Sequence, residues 1–178
     1  MSIAEIELQQ LRREMDELKS KDEIRQQVVR YARALDWLDE SLLKEAYHDD
    51  AFVDFGFFKG IFRDYWPGVM EHEGTHEATF HLCSTVQIEL QGDTAEVESY
   101  GIAVARNKGV VAMFGGRYLD RFERRNGVWK IARRVYLLDW NLEHRGADQV
   151  EEFLSGLNIL KDRSPTHELY RRLGAGAR

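Results

Sequence analysis

Apolar residues step by three and four along residues 3–19, through Leu8, Leu11, Met15 and Leu18, and this spacing predicts an amphipathic helix. The stripe pauses at Ser20-Lys21-Asp22, where Ser20 or Asp22 is placed to cap a second helix. Ile24, Val28, Tyr31, Leu35 and Leu38 form the stripe of that helix, and Asp39-Glu40-Ser41 ends it. Leu42, Leu43 and Ala46 then predict a short helix, and Ala51-Phe52-Val53-Asp54-Phe55 a short strand. Residues 62–77 predict a further helix entered near Tyr65-Trp66-Pro67, with proline in an early turn.

From Leu82 the period changes to two, with Val86, Ile88 and Leu90 alternating against Thr85, Gln87 and Glu89. Turn signals at Gln91-Gly92-Asp93, Asn107-Lys108-Gly109 and Asn126-Gly127 divide residues 84–140 into strands at about 84–90, 94–106, 110–124 and 128–140. Strands well beyond the usual ~5–6 residues do not stay flat. Gly101 and Gly115-Gly116 lie inside them, where bulges and bends belong. The expected fold is α+β: a strongly curved antiparallel sheet, covered on its hollow face by the N-terminal helices, forming a cone around a pocket. Residues 1–20 read as a helical extension, 21–141 as the domain, and 142–178 as a polar tail with one short helix.

Composition narrows the function. At 178 residues the chain holds one domain whose core needs no metal or disulfide to fold. A net charge of -6 argues against a general nucleic-acid or anionic-membrane partner. No stretch approaches ~20 apolar residues, so no membrane span is expected. The start MSIAEIELQQ lacks the basic flank and apolar run of a signal peptide, and the single cysteine, Cys83, fits a reducing compartment; the expected location is cytoplasmic. Aromatic residues make up 11% of the chain and gather in 52–66, 114–122 and 129–140, segments expected to wall the pocket.

Several constellations carry candidate chemistry. His72-Glu73-Gly74-Thr75-His76 fits H-E-x-x-H, but a zinc site needs both imidazoles on one stable helix face and a third ligand. Gly74 inside the motif and the strand close behind it favour a charged, solvated helix end, so no metal is expected. Asp36 follows core position Leu35, and its carboxylate must reach solvent or find a partner. His81, between Phe80 and Leu82, is a core imidazole if alone; beside a carboxylate it becomes a general base whose tautomer that carboxylate fixes. Tyr31, buried on the same helix, needs a partner for its hydroxyl. Strict alternation sends Arg133 to the face of Trp129, Ile131, Val135 and Leu137, and Arg134 to that of Ala132, Tyr136, Leu138 and Trp140. One guanidinium therefore enters the covered side, either salt-bridged to a core carboxylate or stabilising negative charge on a substrate. No G-x-S-x-G, P-loop or G-x-G-x-x-G occurs, which leaves nucleophile elbows and nucleotide cradles without support.

The segments Arg30-Tyr31-Ala32-Arg33-Ala34-Leu35-Asp36, Thr79-Phe80-His81, Gly115 to Arg125 and Gly127-Val128-Trp129-Lys130-Ile131 resemble the SnoaL-like branch of the nuclear-transport-factor-2-like superfamily. That branch includes scytalone dehydratase, bile-acid 7-alpha-dehydratase and hexachlorocyclohexane dehydrochlorinase. The resemblance implies a His–Asp dyad at His81 and Asp36, with Tyr31 and Arg134 at further active-site positions. It also implies a cofactor-independent lyase acting on a small hydrophobic, aromatic or alicyclic molecule, in a homodimer or homotrimer. Expected lining residues are Phe55, Phe58, Trp66, Phe114, Tyr118, Tyr136 and Trp140. The competing expectations are a non-catalytic ligand-binding protein of the same fold and the small subunit of a ring-hydroxylating dioxygenase.

Overall fold

The computed structural model describes residues 2–146, 163–167 and 170. The element order is α1 (Ile3–Trp37), α2 (Glu40–Ala46), β1 (Tyr47–Asp54), β2 (Lys59–Ile61), α3 (Phe62–Gly74), β3 (Ala78–Gln91), β4 (Thr94–Asn107), β5 (Val110–Arg125) and β6 (Val128–Arg145). The strands form one curved six-stranded sheet in the order β2-β1-β6-β5-β4-β3. The pairs β3–β4, β4–β5 and β5–β6 are antiparallel, as expected. The edge differs from a pure antiparallel meander, because β1 runs parallel to β6.

The expected break at Ser20-Lys21-Asp22 does not exist; α1 runs unbroken for 35 residues. Its N-cap is Ser2, which forms a capping box with Glu5. It stops at Leu38, whose φ of 55° reverses the chain, and Asp39 then caps α2 by accepting from the Leu42 N–H. α3 begins at Phe62, so Pro67 lies inside the helix rather than near its start. The Asn126-Gly127 turn has positive φ at both residues, 53° and 78°, as a type I′ hairpin requires.

The core lies between the sheet's inner face and the three helices. Its largest fully buried side chains are Trp129, Arg134, Tyr47, Phe62 and Phe122. Cross-strand register fixes which residues face it: the row His81–Ala103–Phe114 lies beside Cys83–Gly101–Gly116, then Ser99–Tyr118–Tyr136, then Val97–Asp120–Arg134. Gly116 is required by close approach, since a Cβ there would sit 2.3 Å from the Leu137 carbonyl oxygen.

Two bulges in β6 overturn the strict alternation expected there. The register shift between Arg121 and Phe122 leaves Ala132 without a cross-strand partner, so Trp129 and Ile131 share the inner face with Arg134, not with Arg133. A second shift, between Gly115 and Gly116, does the same to Asp139. It turns Trp140 to the outer face, opposite Gly115 and away from the row of His81. β6 also continues to Arg145, so the expected tail boundary at 141/142 falls within a strand. The short helix expected in that tail lies outside the described residues.

Candidate functional site

β3 presents Thr79, His81 and Cys83 on the inner face, where the C-terminal end of α1 crosses it. Asp36, in the last turn of α1, reaches His81 twice. Its Oδ1 lies 2.8 Å from the imidazole Nδ1, and its Oδ2 accepts the His81 backbone N–H at 3.1 Å. Thr79 donates its hydroxyl to the same Oδ1 at 3.4 Å. A carboxylate only accepts, so Nδ1 carries the proton and Nε2 is the basic nitrogen of the neutral ring. The side chains are sheltered, with 8% exposure for His81 and 19% for Asp36. Holding the residue by both ring and backbone fixes the orientation that general-base chemistry needs.

Arg134 answers the question the alternation left open. It faces the covered side, fully buried, and donates Nε and Nη2 to the Asp120 carboxylate at 2.8 and 2.7 Å. A third donor reaches the Tyr47 hydroxyl at 2.9 Å, and the Tyr31 and Tyr118 rings lie 4.2 and 4.3 Å from the guanidinium carbon. Burial opposes its charge, but Asp120 and the neighbouring phenols outweigh that, and its pKa lies well above the ordinary value. Arg134 is thus an internal ion pair of the wall, the salt-bridged alternative. Arg133 projects outward over Phe52, 5.7 Å from its ring.

Tyr31 lies in the same interior, edge-on to Tyr47 and Tyr118. Burial raises its pKa above the ordinary tyrosine value, against the opposing charge of Arg134. Burial likewise pushes the Cys83 thiol up to about 11. Such a thiol is protonated at neutral pH and is no nucleophile.

The expected aromatic lining divides. Phe55 stacks on Tyr65 at 4.8 Å and on Tyr136 at 5.8 Å, and Tyr136 packs on Tyr118 at 5.1 Å, forming one continuous inner wall. Phe114 shares the inner row of His81. Phe58 borders an apolar groove of about 520 Å³ with Phe57, Tyr65, Val69 and His72; neither His81 nor Asp36 lines it. Trp66 packs under the Lys44 ammonium, 3.5 Å from its ring centre, and Trp140 is on the outer face.

In the H-E-x-x-H stretch, α3 ends at Gly74, so His76 lies beyond the helix, its ring edge-on to His72 at 4.8 Å. Glu73 is buried rather than solvated. Among the described residues, no group of three or more His, Cys, Asp or Glu is placed to hold a metal ion.

Sequence reasoning missed Arg163. This buried residue donates to the Thr79 hydroxyl and to the backbone carbonyls of Glu73 and His76, the last at 2.9 Å. It therefore ties the end of α3 to the threonine that touches Asp36. Burial lowers its pKa, while the charges of Glu73 and Asp36 oppose the shift. Nearby, Tyr170 donates to Asp39 at 2.7 Å and packs on Trp37. A lone arginine in a polar segment carries no pattern that could have announced this contact.

The family profile for the SnoaL-like domain matches residues 16–135. No curated protein matches the chain significantly. Among solved structures, the chain is similar to a scytalone-dehydratase-like protein from Novosphingobium aromaticivorans DSM 12444, with 23% identity, 75% of this chain and 95% of that one covered, and a TM-score of 0.66. It is similar to a type 3 hexachlorocyclohexane dehydrochlorinase from Novosphingobium barchaimii LL02, with 17% identity, 78% and 99% covered, and a TM-score of 0.69. An NTF2-like protein with a cystatin-like fold, from Novosphingobium aromaticivorans, matches at 21% identity over 74% and 90%, with a TM-score of 0.64. These likenesses establish the fold. Among the described residues, no helix is long and apolar enough to cross a membrane.

Proposed function

The chain belongs to the SnoaL-like domain family, and from that footing we propose that it is a cofactor-independent lyase in which His81 is the general base. The observation that carries this reading is the doubly held imidazole, with Nδ1 at 2.8 Å from Asp36 and the backbone N–H bound to the same carboxylate. His81 Nε2 takes a proton from carbon or a hydroxyl of the substrate, and Asp36 stabilises the imidazolium that results. The electrons of that bond form the new double bond as the leaving group departs with its own pair. For loss of water, the imidazolium returns the proton to the departing oxygen, directly or by refilling the Tyr31 phenol as that phenol passes on its own. Chloride leaves unassisted. In the retro-aldol variant His81 takes the O–H proton of a hydroxymethyl group, formaldehyde forms as the C–C bond breaks, and the carbon left behind keeps that bond's electron pair and takes the proton back from the imidazolium.

The inner wall of Phe55, Tyr118, Tyr136 and Phe114 suits a small aromatic or alicyclic molecule, in which apolar rings meet apolar rings and one polar edge meets the dyad. Arg134 has no substrate role in this scheme, because each of its three guanidinium nitrogens already donates to Asp120 or Tyr47. The same observation favours a second reading. With Arg134 paired to Asp120 inside the wall, the same apolar interior can hold a hydrophobic ligand without turning it over.

Incubation with a panel of cyclic alcohols, aryl diols and chlorinated cyclohexanes in D2O separates the two. A lyase releases product or exchanges substrate hydrogen for deuterium. A binding protein is stabilised by a panel member but does neither, and that result would replace the first reading by the second.

A further inference from the structure

Helix α1 carries two apolar stripes on opposite faces. At 3.6 residues per turn, Ile24, Val28, Tyr31 and Leu35 fall on one side, and all are buried in the domain. Leu8, Leu11, Met15 and Leu18 fall roughly 180° away. They are 49%, 59%, 57% and 70% exposed. Asp16 and Ser20 lie on the domain side and accept from Arg124, Asp16 at 3.0 Å, so the second stripe points away from the chain's own domain.

That stripe follows a heptad. Leu8 and Met15 occupy a positions, and Ala4, Leu11 and Leu18 occupy d positions. Glu7 and Glu14 then fall at g, Arg12 and Lys19 at e. In two parallel helices in register, each g residue faces the partner's e residue of the next heptad. Glu7 meets the partner's Arg12, and Glu14 meets the partner's Lys19; both contacts are attractive. An antiparallel pair would set g against g, glutamate facing glutamate. The charges thus select a parallel partner of the same sequence, and the placement of Asp16 and Ser20 leaves both domains on the outside of the pair.

We infer that the N-terminal half of α1 is the seam of a parallel two-stranded coiled coil between two copies of this chain. The inference is independent of any catalytic activity. Sedimentation velocity on the full chain at about 50 µM should show a dimer that dissociates on dilution, as mass action requires. A Leu11→Lys/Met15→Lys variant should sediment as a monomer and still unfold cooperatively, with a Tm that no longer depends on concentration, since both side chains are exposed within one chain. In a Cys83→Ala background, Leu18→Cys should cross-link to its own copy under mild oxidation, because d faces d only in the parallel register. A monomeric wild type, or a dimer that survives the double lysine substitution, would overturn the seam. A trimer would overturn two strands, and failure of Leu18→Cys to cross-link in a dimer would overturn the parallel pairing.

Discussion

Replacing Asp120 by Asn tests the assignment of Arg134 to the wall. The substitution keeps shape and removes the charge that faces a guanidinium with no exposure. Arg134 donates to Asp120 twice, at 2.8 and 2.7 Å, and both side chains are shut off from solvent. Breaking such a buried pair costs about 3–5 kcal/mol, because the remaining charge stays desolvated. The Tyr31 and Tyr118 faces and the Tyr47 hydroxyl still stabilise the guanidinium, so the lower end, about 3 kcal/mol, is expected. A domain of this size has on the order of 5–15 kcal/mol in total. At a urea slope of about 2 kcal/mol/M the midpoint should fall by about 1.5 M. Tryptophan fluorescence reads the transition, since Trp129 lies in the core. The double variant Asp120→Leu/Arg134→Met removes both charges and should recover most of the loss. A single variant within about 1 kcal/mol of wild type, or a double as unstable as the single, would show that the ion pair does not hold the wall.

Other expectations rest on the same contacts. Arg163→Met should lower kcat about 10-fold with KM little changed, as Thr79 loses the group that orients it toward Asp36, and Arg163→Lys should restore part of the loss; equal effects on kcat and on unfolding with no rescue would make the residue merely structural. Gly116→Ala should destabilise by about 2 kcal/mol, because its Cβ meets backbone rather than a movable side chain, and urea titration reads this directly. The Cys83 thiol, raised from 9.0 to about 11 by burial, stays protonated in the fold while the unfolded chain ionises. The native state therefore binds more protons between these values, and stability falls as pH rises through the window, by about 3 kcal/mol from this group. The urea midpoint of Cys83→Ala should decline less between pH 8 and 10.5 than that of wild type, and an equal decline would place the cause elsewhere.

Alternation and turn chemistry located β4, β5 and the start of β6 closely, because each is bounded by a tight turn. β3 was legible only in part. Thr85, with φ of 54°, interrupts the pairing between Ser84 and Gln87, so His81 and Cys83 share the inner face with Val86 and Ile88 across a change of parity. The same device in β6 hid the true facing of Trp140. In α1 the apolar stripe jumps to the opposite face near Ser20, and a jump in phase reads as a break although the backbone continues. Asp36, just past core position Leu35, and His81, between Phe80 and Leu82, stood out as polar residues beside apolar ones, and their pairing was implied by family resemblance. The contacts of Arg163 join residues 84 or more apart in the chain, and the Asp120–Arg134 pairing depends on the bulge at Ala132; local periodicity encodes neither.

Catalysis as proposed depends on one event, removal of a substrate proton by His81 while Asp36 orients the ring. On whichever compound the wild-type protein turns over, the decisive measurement is kcat/KM for wild type against His81→Ala. A loss of at least ~100-fold with the fold intact is expected; undiminished turnover in His81→Ala would contradict a general-base role for this residue.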